Sequence, residues 1–242
     1  MKKPRGLALL LSLLAVMPVA GQNRLNNGSG ITMEETYLQK SVELMLIEEQ
    51  SRSPSREMKE SALKNIDTAL QQGSTDRVIL VALETLALEG ILNKVVTSGR
   101  VVNNFPDLRV KAAHYLGSLG GAEAHKILLK MLDMEKYPMV VAEVIVSLGK
   151  IGLNPNDETA KLIAKKLTYF DRGYEDNQLA LATVEAFERF AAQDGWKLTP
   201  ETETILISIS LGRYHATIRA HARQLLAKLR TYQPSATAAP TP

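Results

Sequence analysis

The chain has 242 residues, of which 45% are hydrophobic and 23% charged, and it contains no cysteine. A cysteine-free chain has no disulfide framework, no thiolate nucleophile and no cysteine metal site. The formal charge of +3 rests on Lys2, Lys3 and Arg5; beyond residue 21 the chain balances at 26 basic against 26 acidic residues, so net charge gives no case for nucleic acid as a partner.

Residues 1–21 read as a secretory signal. Lys2, Lys3 and Arg5 form its positive end, and the apolar run from Gly6 to Ala20 is too short for a comfortable membrane span. Val19-Ala20-Gly21 offers small residues for cleavage before Gln22; an uncleaved anchor is the alternative. Export places the mature chain in the periplasm or outside the cell, with no transmembrane segment after cleavage. Residues 22–32 form a polar linker. Met33 to Gln50 follows with Leu38, Val42, Met45 and Leu46 at helical spacing, and predicts a capping helix with no hairpin partner of its own.

Ser51 to Ser55 breaks the chain, and Arg56 to Gln72 resumes helix. Asp76 caps a helix running to Gly90. Ile91 to Val102 predicts a weaker helix, because Val95, Val96 and Thr97 are β-branched. A turn at 103–107 leads into Pro106 to Gly120, and Ala122 to Leu132 is the next helix. Asn154 to Asp157 caps Glu158 to Leu167. Thr168 to Asn177 is the longest irregular stretch, and Gln193 to Pro200 is a second one, holding the single tryptophan, Trp196. Glu201 to Leu211 pairs with Tyr214 to Leu229. The Pro-, Ser-, Ala- and Thr-rich tail, 232–242, predicts disorder. The folded domain is therefore 33–231.

One segment recurs. Pro106 to Gly120 is repeated 32 residues later by Pro138 to Gly152, a period that marks stacked repeats. On a helical projection of about 100° per residue, Leu108, Ala112, Tyr115, Leu116 and Leu119 share one arc. Val110, Ala113 and Gly117 share a second arc, nearly opposite. Lys111, His114 and Ser118 take the polar remainder. The second copy keeps this map, with Val140, Val144, Leu148 and Ile151 on the first stripe and Ala142, Ile145 and Gly149 on the second. Two apolar stripes predict a helix packed on two sides, as in a solenoid. Looser copies centre on Leu86, Phe187 and Leu226, at spacings of 30 to 39 residues.

The run Leu108-Arg109-x-x-Ala112-Ala113-x-x-Leu116-Gly117-x-Leu119-Gly120 resembles the second helix of a bacterial HEAT repeat, of the short kind also seen in phycobilisome-lyase-like proteins. Ile218, Arg219, Ala222, Leu226 and Leu229 match the same pattern; in the 138–152 copy Val141 stands where the motif has Arg. The resemblance covers about residues 56–231 and implies an all-α, right-handed solenoid of about five helical hairpins. It also implies that the motif Arg bonds loop acids, and that second helices line a concave surface. Carried onto this chain, that surface presents Glu84, Lys111, His114, Ser118, Glu143, Lys150, Glu185, Arg189, His221, Gln224 and Lys228. Its mixed charge points to a protein or peptide partner.

Little in the chain points to chemistry. None of the histidines His114, His125, His215 and His221 is followed by Glu, and no phosphate loop, zinc-protease motif or hydrolase elbow occurs. They are read as solvated helix-face residues. Asp171, Glu175 and Asp176 match no calcium loop and are read as caps, while Phe170, Tyr174 and Trp196 are read as packing onto the array, with a recognition patch as the alternative. No catalytic, cofactor or metal residue is assigned. After Glu203 the chain holds no acid, and Arg219, Arg223 and Arg230 fall on one side of the last helix. They read as structural capping or as a patch for an anionic partner. An acidic head, with seven acids against four bases from Glu34 to Glu60, permits head-to-tail contact with that basic end. The expected function is an exported, non-catalytic scaffold or adaptor for an envelope protein. The alternatives are an enzyme of HEAT-like fold and a binder of nucleic acid or another anionic polymer.

Overall fold

A computed structural model describes residues 32–193 and 198–232. The expected signal and most of the linker, Trp196, and the tail from 233 lie outside the described residues. Within them the protein is all-α apart from one small hairpin. Ten helices run α1 (Met33–Arg52), α2 (Arg56–Gln71), α3 (Arg77–Leu88), α4 (Pro106–Leu119), α5 (Gly121–Met134), α6 (Pro138–Ile151), α7 (Glu158–Asp171), α8 (Asn177–Ala191), α9 (Pro200–Leu211) and α10 (Ala216–Tyr232). Local chemistry sets the starts. Thr32 and Glu35 form a reciprocal capping box on α1, Asp76 accepts from the Val78 amide at α3, and Asp176 accepts from the Gln178 and Leu179 amides at α8. Proline occupies the first turn of α4, α6 and α9, where its missing N–H costs nothing.

The helices pack in two rows. In one row α1 touches α3, α3 touches α5, α5 touches α7 and α7 touches α9. In the other, α2 touches α4, α4 touches α6, α6 touches α8 and α8 touches α10. Each odd helix also packs on the even helix that follows it. One hydrophobic core runs without a break from Ile47 to Leu229. The two-striped helices sit where two-sided packing is needed: α6 buries Val140, Val141, Val144, Ile145, Leu148 and Gly149.

The glycines of the second stripe set how closely even helices approach. A Cβ on Gly117 would stand 2.6 Å from Ser147 Oγ and 2.9 Å from its Cα; one on Gly149 would stand 2.8 Å from Ala186 Cα. Backbone cannot yield to such contacts without sliding a helix.

The structure corrects several expectations. Residues 91–102 are not helical: Val96–Thr97 (β1) and Arg100–Val101 (β2) pair antiparallel around Ser98-Gly99. Both turn residues have positive φ, 51° and 77°, as a mirror-image two-residue hairpin turn requires; the β-branched run was a strand signal. The helix before the irregular 168–177 stretch continues to Asp171. The segment centred on Leu86 is α3 and belongs to the odd row, because burial between α1, α4 and α5 gives it an apolar pattern like a second helix. Its place in the even row falls to α2, so α1 is not the unpartnered capping helix expected from sequence but packs against α2 as well as α3.

His125 is buried rather than solvated, a further correction. Its Nε2 lies 2.9 Å from Thr159 Oγ1, whose own hydroxyl donates to the Leu153 carbonyl at 3.0 Å. Thr159 therefore accepts, and His125 donates from Nε2. Burial pushes the imidazole below its ordinary value of 6.5, with the Leu153 carbonyl opposing. The unfolded chain takes up a proton that the folded chain resists, so stability falls as pH drops below 6.5. His125→Gln, which keeps a donor, is expected to remove that slope in urea melts taken just below pH 6.5. Gly149→Ala is expected to cost about 1–3 kcal/mol, read as a lower urea midpoint at unchanged slope.

Candidate protein-interaction face

A buried polar relay holds the even row in register. Arg109 of α4 is 1% exposed. Its Nε donates to Glu135 Oε2 at 2.7 Å and its Nη2 to Glu135 Oε1 at 3.3 Å. Its Nη1 donates to the Glu89 carbonyl at 3.2 Å and to Asn104 Oδ1 at 3.0 Å. Tyr137 lies across the guanidinium, 5.7 Å from ring centroid to Cζ, and its hydroxyl accepts from Asn104 Nδ2 at 2.8 Å. Glu135 also accepts from the backbone amides of Lys136 and Tyr137. Every charge in this cluster is paired and hydrogen-bonded, the condition on which buried ions are tolerated.

The same device stands one even helix earlier. Lys59 of α2 is buried and reaches Glu89 Oε2 at 2.9 Å, with the Ser51 carbonyl at 3.3 Å. Asn103 donates to the other oxygen of Glu89 at 3.3 Å and accepts from the Val95 amide at 2.9 Å, anchoring the β-hairpin. In each case a cation of an even helix grips the acid that closes the next odd helix. Lys59 was missed from sequence because its Arg is replaced by Lys. The signal was present: Met58, Lys59, Ala62, Leu63 and Ile66 stand 50 residues before Leu108, Arg109, Ala112, Ala113 and Leu116. At the equivalent sites of α6 and α8 stand buried Val141 and Ala180.

Past α6 a loop clamp replaces the relay. Tyr214 donates to Asp171 at 2.6 Å, the Arg213 amide to Glu175 at 3.1 Å and the His215 amide to Asn177 at 2.7 Å. Burial raises the Asp171 carboxyl, against the Tyr214 hydrogen bond, and burial raises the Tyr214 phenol. Asp171 and Glu175 thus tie neighbouring loops, and Asp176 caps α8. Phe170 packs on the core, and Tyr174 is exposed.

With the row fixed, its outer surface carries most of the expected interaction residues. Lys111, His114 and Ser118 line the exposed side of α4. Lys111 pairs with Glu60 of α2 at 3.4 Å, His114 with Glu143 of α6 at 2.9 Å, and Lys150 of α6 donates to Ser118 at 2.9 Å. Further along, His221 of α10 meets Glu188 of α8 at 3.0 Å. Glu185 is half-buried, while Arg189, Gln224 and Lys228 are exposed. Between α8 and α10 lies a shallow groove of about 490 Å³, lined by Gln178, Leu181, His215, Ile218 and His221 among others. Exposed ion pairs of this kind contribute about 0–1 kcal/mol each, so little of the fold's stability rests on them.

Glu84 does not join this face. It pairs with Lys130 of α5 at 3.1 Å, on the odd row, for the same reason that α3 lies there. The three arginines of the last helix also separate. Arg230 is doubly hydrogen-bonded to Glu203 of α9, at 2.8 and 2.7 Å. Arg219 is half-buried, and Arg223 is exposed. Among the described residues no group of three or more His, Asp or Glu is placed to hold a metal ion, and no helix is long and apolar enough to cross a membrane.

Removing one partner of the relay leaves the other as a buried, unpaired charge. Arg109→Met is expected to cost about 3–5 kcal/mol. Arg109→Met with Glu135→Gln keeps an acceptor for the Lys136 and Tyr137 amides and is expected to recover most of that loss. A urea-melt double-mutant cycle checks this.

Compared with known proteins, the chain matches no family model and no curated protein.

Proposed function

We propose that the chain is an exported, non-catalytic scaffold or adaptor, a right-handed HEAT-like solenoid of five helical hairpins, α1/α2 through α9/α10, that binds another envelope protein through the outer surface of its even row. The observation that carries this reading is that surface itself. It runs across α4, α6, α8 and α10, it mixes both charge signs, and weak cross-helix pairs link several of its polar groups. Second helices of HEAT-like arrays line the concave side, which suits an elongated partner laid along the row. The residues assigned to contact are Lys111, His114, Ser118, Glu143, Lys150, Glu185, Arg189, His221, Gln224 and Lys228. Alternating signs favour a protein or peptide over nucleic acid, whose phosphates ask for one sign. The signal-like residues 1–21 support passage to the envelope.

The test is a cross-linked pull-down of the tagged protein from its native envelope, beside the variant Lys150→Glu/Arg189→Glu/Lys228→Glu. The partner recovered with the wild type is then purified, and its affinity is measured for both forms. A partner whose binding drops about tenfold or more in the variant supports the reading. Binding unchanged by the triple reversal removes the even-row surface as the site.

A further inference from the structure

The two ends of the array are unlike, and each lacks something the other carries. At the N-terminal end α1 turns Ile47 and Ser51 inward, where both are buried. On its opposite side stand Leu38, Val42 and Met45, spaced four and three residues apart and 63%, 62% and 68% exposed. Among the described residues nothing covers this apolar stripe, and exposed apolar patches mark interaction surfaces. Acids surround it: α1 holds Glu34, Glu35, Glu43, Glu48 and Glu49 against Lys40 and Arg52.

At the C-terminal end α10 buries Ile218, Ala222, Leu225 and Leu229. Its free side exposes Ala216, Ala220 and Ala227, small enough for a helix to lie close, with Arg219 and Arg223 between them. Arg219 stands 110 residues after Arg109, in the same place of the repeat motif. Lys59 and Arg109 each grip an acid from the next odd helix. Among the described residues no helix follows α10, and the Nε of Arg219 is buried without a hydrogen-bond partner. Among the described residues neither Arg219 nor Arg223 forms an ion pair, whereas Arg230 is held by Glu203.

We propose that a second copy of this chain docks head to tail, the outer face of its α1 lying against the free side of α10. Leu38, Val42 and Met45 then cover the alanines, and the α1 glutamates meet Arg219 and Arg223. Like-with-like pairing is disfavoured. Two α1 faces would bring their glutamates together, and two α10 faces their arginines. A head-to-tail contact is heterologous, so it leaves one free end of each kind and can continue. It uses the ends of the array and leaves the even-row surface open. It therefore stands or falls separately from the adaptor reading.

Sedimentation velocity over a range of concentrations tests this, on the chain beginning at Gln22 with the full chain alongside. One variant blocks the first face, Leu38→Glu/Val42→Glu, and another blocks the second, Ala220→Glu/Arg223→Glu. All four positions are exposed, and thermal melts check that each variant folds. The wild type is expected to grow past a dimer with concentration, and to weaken in high salt. Each variant alone is expected to stay monomeric. Mixed in equal amounts, the two variants are expected to form a dimer and stop, because each retains one intact face. A wild type that stays monomeric, or that stops at a dimer, overturns the proposal. So does either variant assembling as the wild type does, a mixture that stays monomeric, or association found only in the full chain.

Discussion

The relay from Lys59 through Glu89 and Arg109 to Glu135 is the constraint on which the array depends. Apolar helix faces pack with little regard to register, because dispersion and burial are non-directional. A guanidinium held to a carboxylate by two hydrogen bonds is directional. Glu89 takes Lys59 on its side chain and Arg109 on its carbonyl, so α2 and α4 are both fixed to the end of α3. Arg109 then fixes α4 to the end of α5 through Glu135. Slipping any of these helices by one residue would strand a buried charge. Where the relay ends, at Val141 and Ala180, close glycine contacts at Gly117 and Gly149 and the loop clamp around Tyr214 take over the same task.

The proposed function rests on what the fixed row presents. Lys111, His114, Ser118, Glu143, Lys150, Glu188 and His221 come from four helices, separated by up to 110 residues of chain. Packing of the even helices gathers them on one surface. The buried, bidentate pairs lie in the relay and the weak exposed pairs lie outside it, so little of the fold's stability rests on the outer surface. The two ends follow another logic. A repeat array has no natural edge, and each terminal helix must either become polar or find a cover. Here α10 is polar and basic, while α1 keeps an apolar stripe among acids.

Helix positions were legible because the signals are local. Asp76 and Asp176 mark helix starts, and the prolines of α4, α6 and α9 sit in first turns. The two-striped pattern of α4 and α6 foretold packing on two sides. Pairings between helices were not legible to the same degree. Nothing near Arg109 in sequence names Glu135, which lies 26 residues away. Lys59 could have been found by aligning α2 with α4. The row of α3 could not be read from its pattern, since a helix enclosed by three others looks the same in either row. The hairpin at 96–101 was missed because three β-branched residues were weighed as a poor helix when Ser98-Gly99 already marked a turn. On the outer surface of the even row, the exposure of Lys111, His114 and Ser118 was legible from their polar arc alone. The neutralisation of Arg230 by Glu203 was not, because it depends on how α9 lies against α10.

The most direct test of the account is site-specific photo-cross-linking in living cells, read as a mass shift of the chain. A photoreactive residue is placed at Lys150, Arg189 or Gln224 on the even row, and at Lys126, Lys161 or Thr204 on the odd row. All six are exposed, so substitution leaves the core intact. The account predicts one common cross-linked product from the even-row positions and none from the odd-row positions. Equal products from both rows, or products from the odd row alone, would contradict it.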